Sequence, residues 1–276
     1  MALIEPGHLF SQHSLNTYLR CKRRFWLKYI EQQPWPVPEQ EDLAEYQAHL
    51  ARGRTFHQWV ARALLGVDAE LLNAAAAACG DEALLSWWQA FGRFDLSTLP
   101  EGVREVELPL IVPLGDYRLY ARYDLLALSP SGEAVIVDWK TLEHLPSWRV
   151  MRDRVQTRVY LYVLTSAGHI VTGGAPLDPS HMEMMYWFAP SEETYHIPYS
   201  RRDFLAHRQA LLRLVEEIAT SPPEAFTPTE NVRECAFCNY RSLCGRQEAQ
   251  GDPSVNWLDE EIDFDLDLDE TIEIAY

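Results

Sequence analysis

The apolar run Val135-Ile136-Val137 ends in Asp138-Trp139-Lys140-Thr141, setting a carboxylate and an ammonium two residues apart. In a β-strand both side chains leave the same face, because direction alternates with a period of two. A buried ion pair would satisfy that pattern alone. A second acid extends the reading: Asp124 follows Ala121-Arg122-Tyr123 and precedes Leu125-Leu126, and neighbouring strands of a meander would bring it within reach of Asp138. Two carboxylates offer the hard oxygen donors that suit Mg²⁺ or Mn²⁺, and such a cation acidifies a bound water and polarises a phosphate. A lysine beside them can orient that water or hold the developing charge. These residue types point to metal-assisted attack by water, the chemistry that phosphodiester hydrolysis demands.

A second constellation is built of sulfur. Cys235-Ala236-Phe237-Cys238 followed by Cys244 gives C-x₂-C-x₅-C in a coil containing Asn239 and Gly245. A fourth thiolate would complete a tetrahedral Zn²⁺ site or a cubane iron–sulfur cluster. Cys21 is the candidate, since its basic neighbours Arg20, Lys22, Arg23 and Arg24 favour the thiolate. Cys79 follows five alanines and reads as a small buried apolar residue. Five cysteines in 276 residues are too few for a disulfide scaffold.

Other polar residues are explained singly by structure. His57, on an amphipathic helix, reads as a structural histidine. Gln156 and Tyr160 are four apart and share a helix face, and Tyr160 alone reads as core packing beside Leu161 and Leu164. Glu105 and Glu107 fit the exposed side of an alternating strand.

The elements that must position these groups follow from periodicity. Ser14 to Ile30 reads as one helix, capped by Ser14 or Asn16, that stops in a proline cluster, Pro34, Pro36 and Pro38. Residues 41–65 and 69–91 read as further helices. The period then changes: Val103–Val112, Tyr117–Leu128 and Ala134–Thr141 predict three successive strands, separated by Leu114-Gly115-Asp116 and Ser129-Pro130-Ser131-Gly132. An amphipathic helix over Arg149–Thr165, a Gly/Pro loop at 173–179, strands at 181–189 and 194–199, a helix over Arg201–Ala219 and a cysteine-rich coil at 231–246 complete the body. No internal repeat is present. The pattern predicts an α/β fold, a central mixed sheet flanked by helices, with a helical N-terminal region and a cysteine-bearing C-terminal coil. One domain spans 1–246: a helical part at 14–100, a sheet core at 101–200 and a helix with the cysteine region at 201–246.

The formal net charge of −17 argues against a nucleic-acid partner until its distribution is read. After Arg246 there are eleven acids and no Lys or Arg, so residues 1–246 carry only −6. Within that body basic residues cluster at Arg20–Lys28, at Arg52 and Arg54, and at Arg149–Arg158. The tail, 247–276, alternates acids with apolar residues over 261–269, which suits a self-repelling coil, a phosphate mimic or a strand added to a sheet edge. No run is long and apolar enough to span a bilayer and no secretory signal pattern begins the chain, so no membrane association and a cytoplasmic location are expected.

Taken in order, the motifs resemble RecB-type members of the PD-(D/E)XK nuclease superfamily over residues 14–246. Asp124 matches the first acidic position and Asp138-Trp139-Lys140 the second acid, variable residue and lysine. Gly53-Arg54-Thr55-Phe56-His57 matches a Gly-x-x-x-His motif, and Gln156-Thr157-Arg158-Val159-Tyr160 a Gln-x-x-x-Tyr motif. The resemblance implies a restriction-endonuclease-like core and Mg²⁺ or Mn²⁺ held by His57, Asp124, Asp138 and the Trp139 carbonyl. It further implies Lys140 acting on water, and Gln156 and Tyr160 aligning DNA. The substrate would be single-stranded DNA or duplex ends, degraded by an exonuclease of DNA repair, recombination or CRISPR adaptation, with a helicase or CRISPR adaptation partner. One distant N-terminal cysteine with a C-terminal triplet is similar to the AddB nuclease domain and the CRISPR-associated RecB-like exonucleases, and implies a 4Fe-4S cluster on Cys21, Cys235, Cys238 and Cys244. Zn²⁺ remains the other occupant of that site. The competing class is a nuclease-inactive, metal-stapled DNA-binding or protein-interaction subunit.

Overall fold

The three strands expected over 103–141 are present and belong to a larger sheet. The computed structural model describes residues 4–34, 41–236 and 238–246; the acidic tail and Pro36 and Pro38 lie outside the described residues. In chain order the strands are β1 (Leu9–Ser11), β2 (Val103–Leu114), β3 (Tyr117–Leu128), β4 (Ala134–Lys140), β5 (Met182–Phe188) and β6 (Glu193–Pro198). β2, β3 and β4 form the antiparallel meander, β4 and β5 run parallel, β5 and β6 antiparallel, and β1 adds in parallel to the start of β3. The sheet is therefore mixed. β1 escaped the sequence reading because three residues are too few to show a period.

Strand β3 is shared unequally along its length. One edge pairs with β2 from Tyr117 to Leu128 except at Asp124, while the other pairs with β1 over Arg118–Tyr120 and with β4 over Leu125–Leu128. Among the described residues no strand pairs with Ala121–Asp124 on that second edge, so the sheet forks there.

Helices cover both faces. On one face α1 (Gln12–Arg20), α7 (Val155–Ser166) and α9 (Arg201–Thr220) bury residues such as Leu15, Val159, Val163 and Val215 against Tyr123, Ile136 and Tyr186. On the other, α3 (Glu41–Leu64), α4 (Ala69–Ala78) and α5 (Glu82–Phe91) close an aromatic nest over Val137, Trp139 and Trp187. Trp139 meets Phe91, Phe94 and Trp187 edge-on at 5.2–5.8 Å, and such pairs add about 0.5–1.5 kcal/mol each beyond area burial. The nest fixes β4 from behind.

Three expected helices are broken. The one over 69–91 divides into α4 and α5 at Cys79–Asp81, where Gly80 is left-handed (φ 70°) and the Asp81 carboxylate caps α5. The helix over 14–30 starts earlier, with Ser11 and Ser14 forming a reciprocal capping box. It is interrupted at Cys21, which is extended (φ −157°), before α2 (Lys22–Phe25) and a π-helical turn at Trp26–Ile30. The Cys21 Sγ accepts the Arg24 N–H at 3.4 Å and so caps the restart. The helix over 149–165 is split at Arg154 (ψ 147°) into α6 (Trp148–Asp153) and α7, and the Thr157 hydroxyl takes the Met151 carbonyl at 2.6 Å. Apolar spacing runs unbroken through the interruptions at Cys21 and Arg154, so periodicity alone cannot locate those two. The short α8 (Gly168–Val171) follows α7.

Candidate active site

The β3–β4 ladder ends at Leu125↔Val137, one step before Asp124 would face Asp138. There the strands splay, and the Trp139 N–H donates to the Asp124 carboxylate (2.9 Å) instead of to a backbone carbonyl. The splay directs both acids to one pocket of space beside α7. Asp138 and Lys140, on the same face of β4, are 3% and 8% exposed and form an ion pair at 2.9 Å. Gln156, buried in the first turn of α7, closes a triangle: its Nε2 donates to Asp138 Oδ1 (2.7 Å) and its Oε1 accepts from Lys140 Nζ (2.9 Å). Only one orientation of the amide satisfies both bonds. Gln156 thus turns inward to the acid–lysine pair. Tyr160, one turn later, packs its ring against Tyr123 at 5.2 Å.

His57 reaches the site from α3, with Nδ1 3.3 Å from Asp124 Oδ2. Burial opposes a charged imidazole, but the carboxylates of Asp124 and Asp138 outweigh it and the pKa is raised. Burial likewise pushes Asp124 upward, and His57, the Trp139 N–H and Lys140 reverse this, holding it below the usual range. For Asp138 burial dominates, with Lys140 opposing and Asp124 reinforcing, and the pKa rises to about 6.

Glu107 belongs to the same group, contrary to the expectation that it faces solvent like Glu105, which is exposed. It lies half-buried on β2 opposite Asp124, ion-paired to Arg122 at 3.1 Å. Burial and then Asp124 raise its pKa to about 7. Its φ of +53° is a left-handed conformation rare for a non-glycine residue in a strand. The kink reverses the alternation of both strands. Leu108 and Leu110 point to the α7 face while Val106 points to the aromatic nest, and on β3 Tyr123 and Leu126 share one face while Leu125 takes the other. A sequence signal for Glu107 existed: the two-residue turn Gly115-Asp116 fixes a register in which 107 opposes 124.

The donor set suits a divalent cation. Three carboxylates converge on a buried space containing one lysine and one imidazole, and two of them are driven toward their neutral forms, so added positive charge would be stabilised there. Among the described residues, no group of three or more His, Cys, Asp or Glu side chains stands ready-arranged around a metal: the acids are taken up by His57, Lys140 and Gln156.

Cys235 and Cys238 are buried, and Cys21 and Cys244 half-buried. Burial pushes the Cys238 and Cys244 thiols upward, and Cys21 and Cys235 act on both in the same direction, so the fold brings the four within electrostatic range. Arg246 contacts Cys235 Sγ at 3.1 Å. Cys79 is exposed, not buried as its alanine context suggested, because it falls at the C-cap of α4, where the chain turns outward to Gly80.

A sequence profile of the PD-(D/E)XK nuclease superfamily matches residues 9–245. Among solved structures, the chain is similar to the crystal structure of SSO0001 at 14% identity over 87% of each chain, TM-score 0.43. It is also similar to a proposed exonuclease from Eubacterium rectale at 8% identity over 76% of this chain and 80% of that one, TM-score 0.46. No curated protein matches.

Proposed function

The chain belongs to the PD-(D/E)XK nuclease superfamily, and from that premise we propose that it is a metal-dependent exonuclease acting on single-stranded DNA or DNA ends. The observation that carries this reading is the buried Asp138–Lys140–Gln156 triangle facing the Asp124–His57 pair. His57, Asp124, Asp138 and the Trp139 carbonyl would hold Mg²⁺ or Mn²⁺. When bound, the cation supplies a water of lowered pKa and polarises the phosphate. Lys140, presented by β4, stands where it can orient that water or hold charge on a non-bridging oxygen. Gln156 keeps the ammonium and the Asp138 carboxylate in register with each other, and Tyr160 keeps α7 seated on β3 through the Tyr123–Tyr160 contacts. Among the described residues no helix is long and apolar enough to cross a membrane.

One nuclease unit spans 1–246, followed by the acidic tail. Cys21, Cys235, Cys238 and Cys244 would carry a 4Fe-4S cluster that ties the N-terminal helices to the C-terminal coil, with DNA repair, recombination or CRISPR adaptation as the setting and a helicase or adaptation protein as partner. The support is the C-x₂-C-x₅-C spacing and the electrostatic coupling of Cys21 and Cys235 to Cys238 and Cys244; among the described residues the thiols do not stand as a metal-ready group. Anaerobically purified protein should be brown, contain iron and cleave end-labelled single-stranded DNA with Mn²⁺, and Lys140→Ala should abolish cleavage. Colourless, zinc-loaded and inactive protein would overturn the reading and favour the non-catalytic subunit.

A further inference from the structure

Away from the carboxylates, on the outer side of α7, α6, α7, the end of β6 and the first half of α9 enclose a cavity of about 250 Å³. Arg152, Asp153, Arg158, Tyr199, Asp203 and His207 supply its polar lining. Tyr199 is 5% exposed, yet its hydroxyl has no hydrogen-bond partner, and neither has the buried Nδ1 of His207. Buried polar atoms are rarely left without a partner in a folded protein. Their rings lie 5.4 Å apart with a tilt of 33°, forming an aromatic wall.

Of the charged lining, Asp153 is exposed to solvent, and the rest sorts into two sets. At the mouth Arg152 lies 3.9 Å from Asp203, which also takes the Ser200 hydroxyl, so cation and acid offset each other. Deeper, the half-buried Arg158 side chain makes no hydrogen bond or ion pair among the described residues. Burial, then Arg158, depresses His207 to about 4, so its imidazole is neutral at neutral pH and offers one donor and one acceptor. An unpaired guanidinium, a phenol and a neutral imidazole converging in a small cavity match a phosphate with a polar, flat attachment. The volume exceeds what an inorganic phosphate fills. Thr157, which also lines the cavity, binds the Tyr186 hydroxyl at 2.7 Å, and that hydroxyl lies 3.4 Å from Gln156 Oε1, so the cavity and the acid–lysine triangle are separated by the first turn of one helix.

We propose that this cavity binds a nucleoside 5′-monophosphate group, its phosphate on Arg158 and its sugar and base against Tyr199 and His207. The group is either the 5′ terminus of a strand or a free mononucleotide. The strand-terminus form rests on the nuclease reading; the binding site does not.

The full-length protein, without added Mg²⁺ or Mn²⁺, should bind thymidine 5′-monophosphate saturably by calorimetry, more tightly than inorganic phosphate or thymidine. Arg158→Ala should weaken binding at least tenfold and Tyr199→Phe several-fold, with wild-type circular dichroism in both. With Mn²⁺, a strand-terminus role predicts that wild-type protein degrades 5′-phosphorylated strands several-fold faster than 5′-hydroxyl strands and that Arg158→Ala loses this preference. Nucleotide binding without any strand preference supports the site with a free nucleotide as its ligand. Arg158-dependent binding in a protein that cleaves no strand supports the site and removes the nuclease reading instead. Absence of saturable binding, or binding unchanged in both folded variants, overturns the proposal.

Discussion

The carboxylate site and the cysteine site are assembled in opposite ways. The first is drawn from one meander and the helix after it, and its side chains already hold one another through Gln156, Lys140 and His57. The second, as proposed, would join Cys21, at a break between helices, to a coil more than 200 residues later, and its free thiols lie within electrostatic reach of one another without forming a metal-ready group among the described residues. Mutual pairing lets the first keep its shape without a cation. The second has no such internal bracing, so its geometry should depend on what the thiols bind.

The largest test of that contrast removes the ammonium. Lys140→Ala should lower Mn²⁺-dependent cleavage by about a thousandfold while the melting temperature moves little, because Asp138 is already pushed toward its neutral form. A collapse in stability comparable to the loss of rate would break the contrast. Next, Cys238→Ser should do the reverse at the other site, bleaching any visible absorption and lowering the melting temperature by about 5–10 °C, since metal binding is folding free energy in such sites. An unchanged melting curve would show the coil to be braced without its ligand.

Glu107→Gly sharpens the comparison within the first site. Glycine accepts the left-handed conformation without strain, so stability should rise by about 1 kcal/mol while Mn²⁺ affinity, measured by titration, falls several-fold. Loss of stability instead would mean that the Arg122 pairing outweighs the strain.

The smallest effect is a pH dependence. Glu107 and Asp138 have raised folded-state pKa values of about 7 and about 6, and His57 is also raised. For each, the folded state holds protons more tightly than the unfolded chain, so the site's contribution to stability is greatest at low pH and is lost as pH rises through 6–7. Asp124, lowered, contributes the opposite sign only in the acid range of an ordinary aspartate and below, outside this window. Without divalent cation the protein should melt about 2–4 °C higher at pH 5.5 than at pH 7.5, and saturating Mn²⁺ should remove the difference. A flat profile without cation would show that the three carboxylates are already compensated.

Where sequence and structure agree, strong periodicity and local spacing did the work. The meander could be read because its strands are long and its turns carry Gly115 and Gly132, and Asp124, Asp138 and Lys140 could be placed because their strands could. Glu107 was misplaced because alternation was assumed to continue through a strand that kinks at that residue. Gln156 was singled out by the motif resemblance, its spacing to Tyr160 showing only a shared helix face, and its inward orientation depends on the Arg154 break, which leaves no mark on apolar spacing. The cavity behind α7 was beyond sequence reading altogether, since Arg158, Tyr199 and His207 come from three separate elements.

The fork in β3 makes this nuclease core measurable by isotope. Between the β1 and β4 segments, Ala121, Tyr123 and Asp124 meet no strand on that edge among the described residues, although they sit in the middle of a strand locked at both ends. In deuterium-exchange experiments they should label early inside an otherwise protected sheet, a fast-exchanging island whose rate reports whether β4 and the N-terminal strand are drawn together or held apart when the acids acquire their cation.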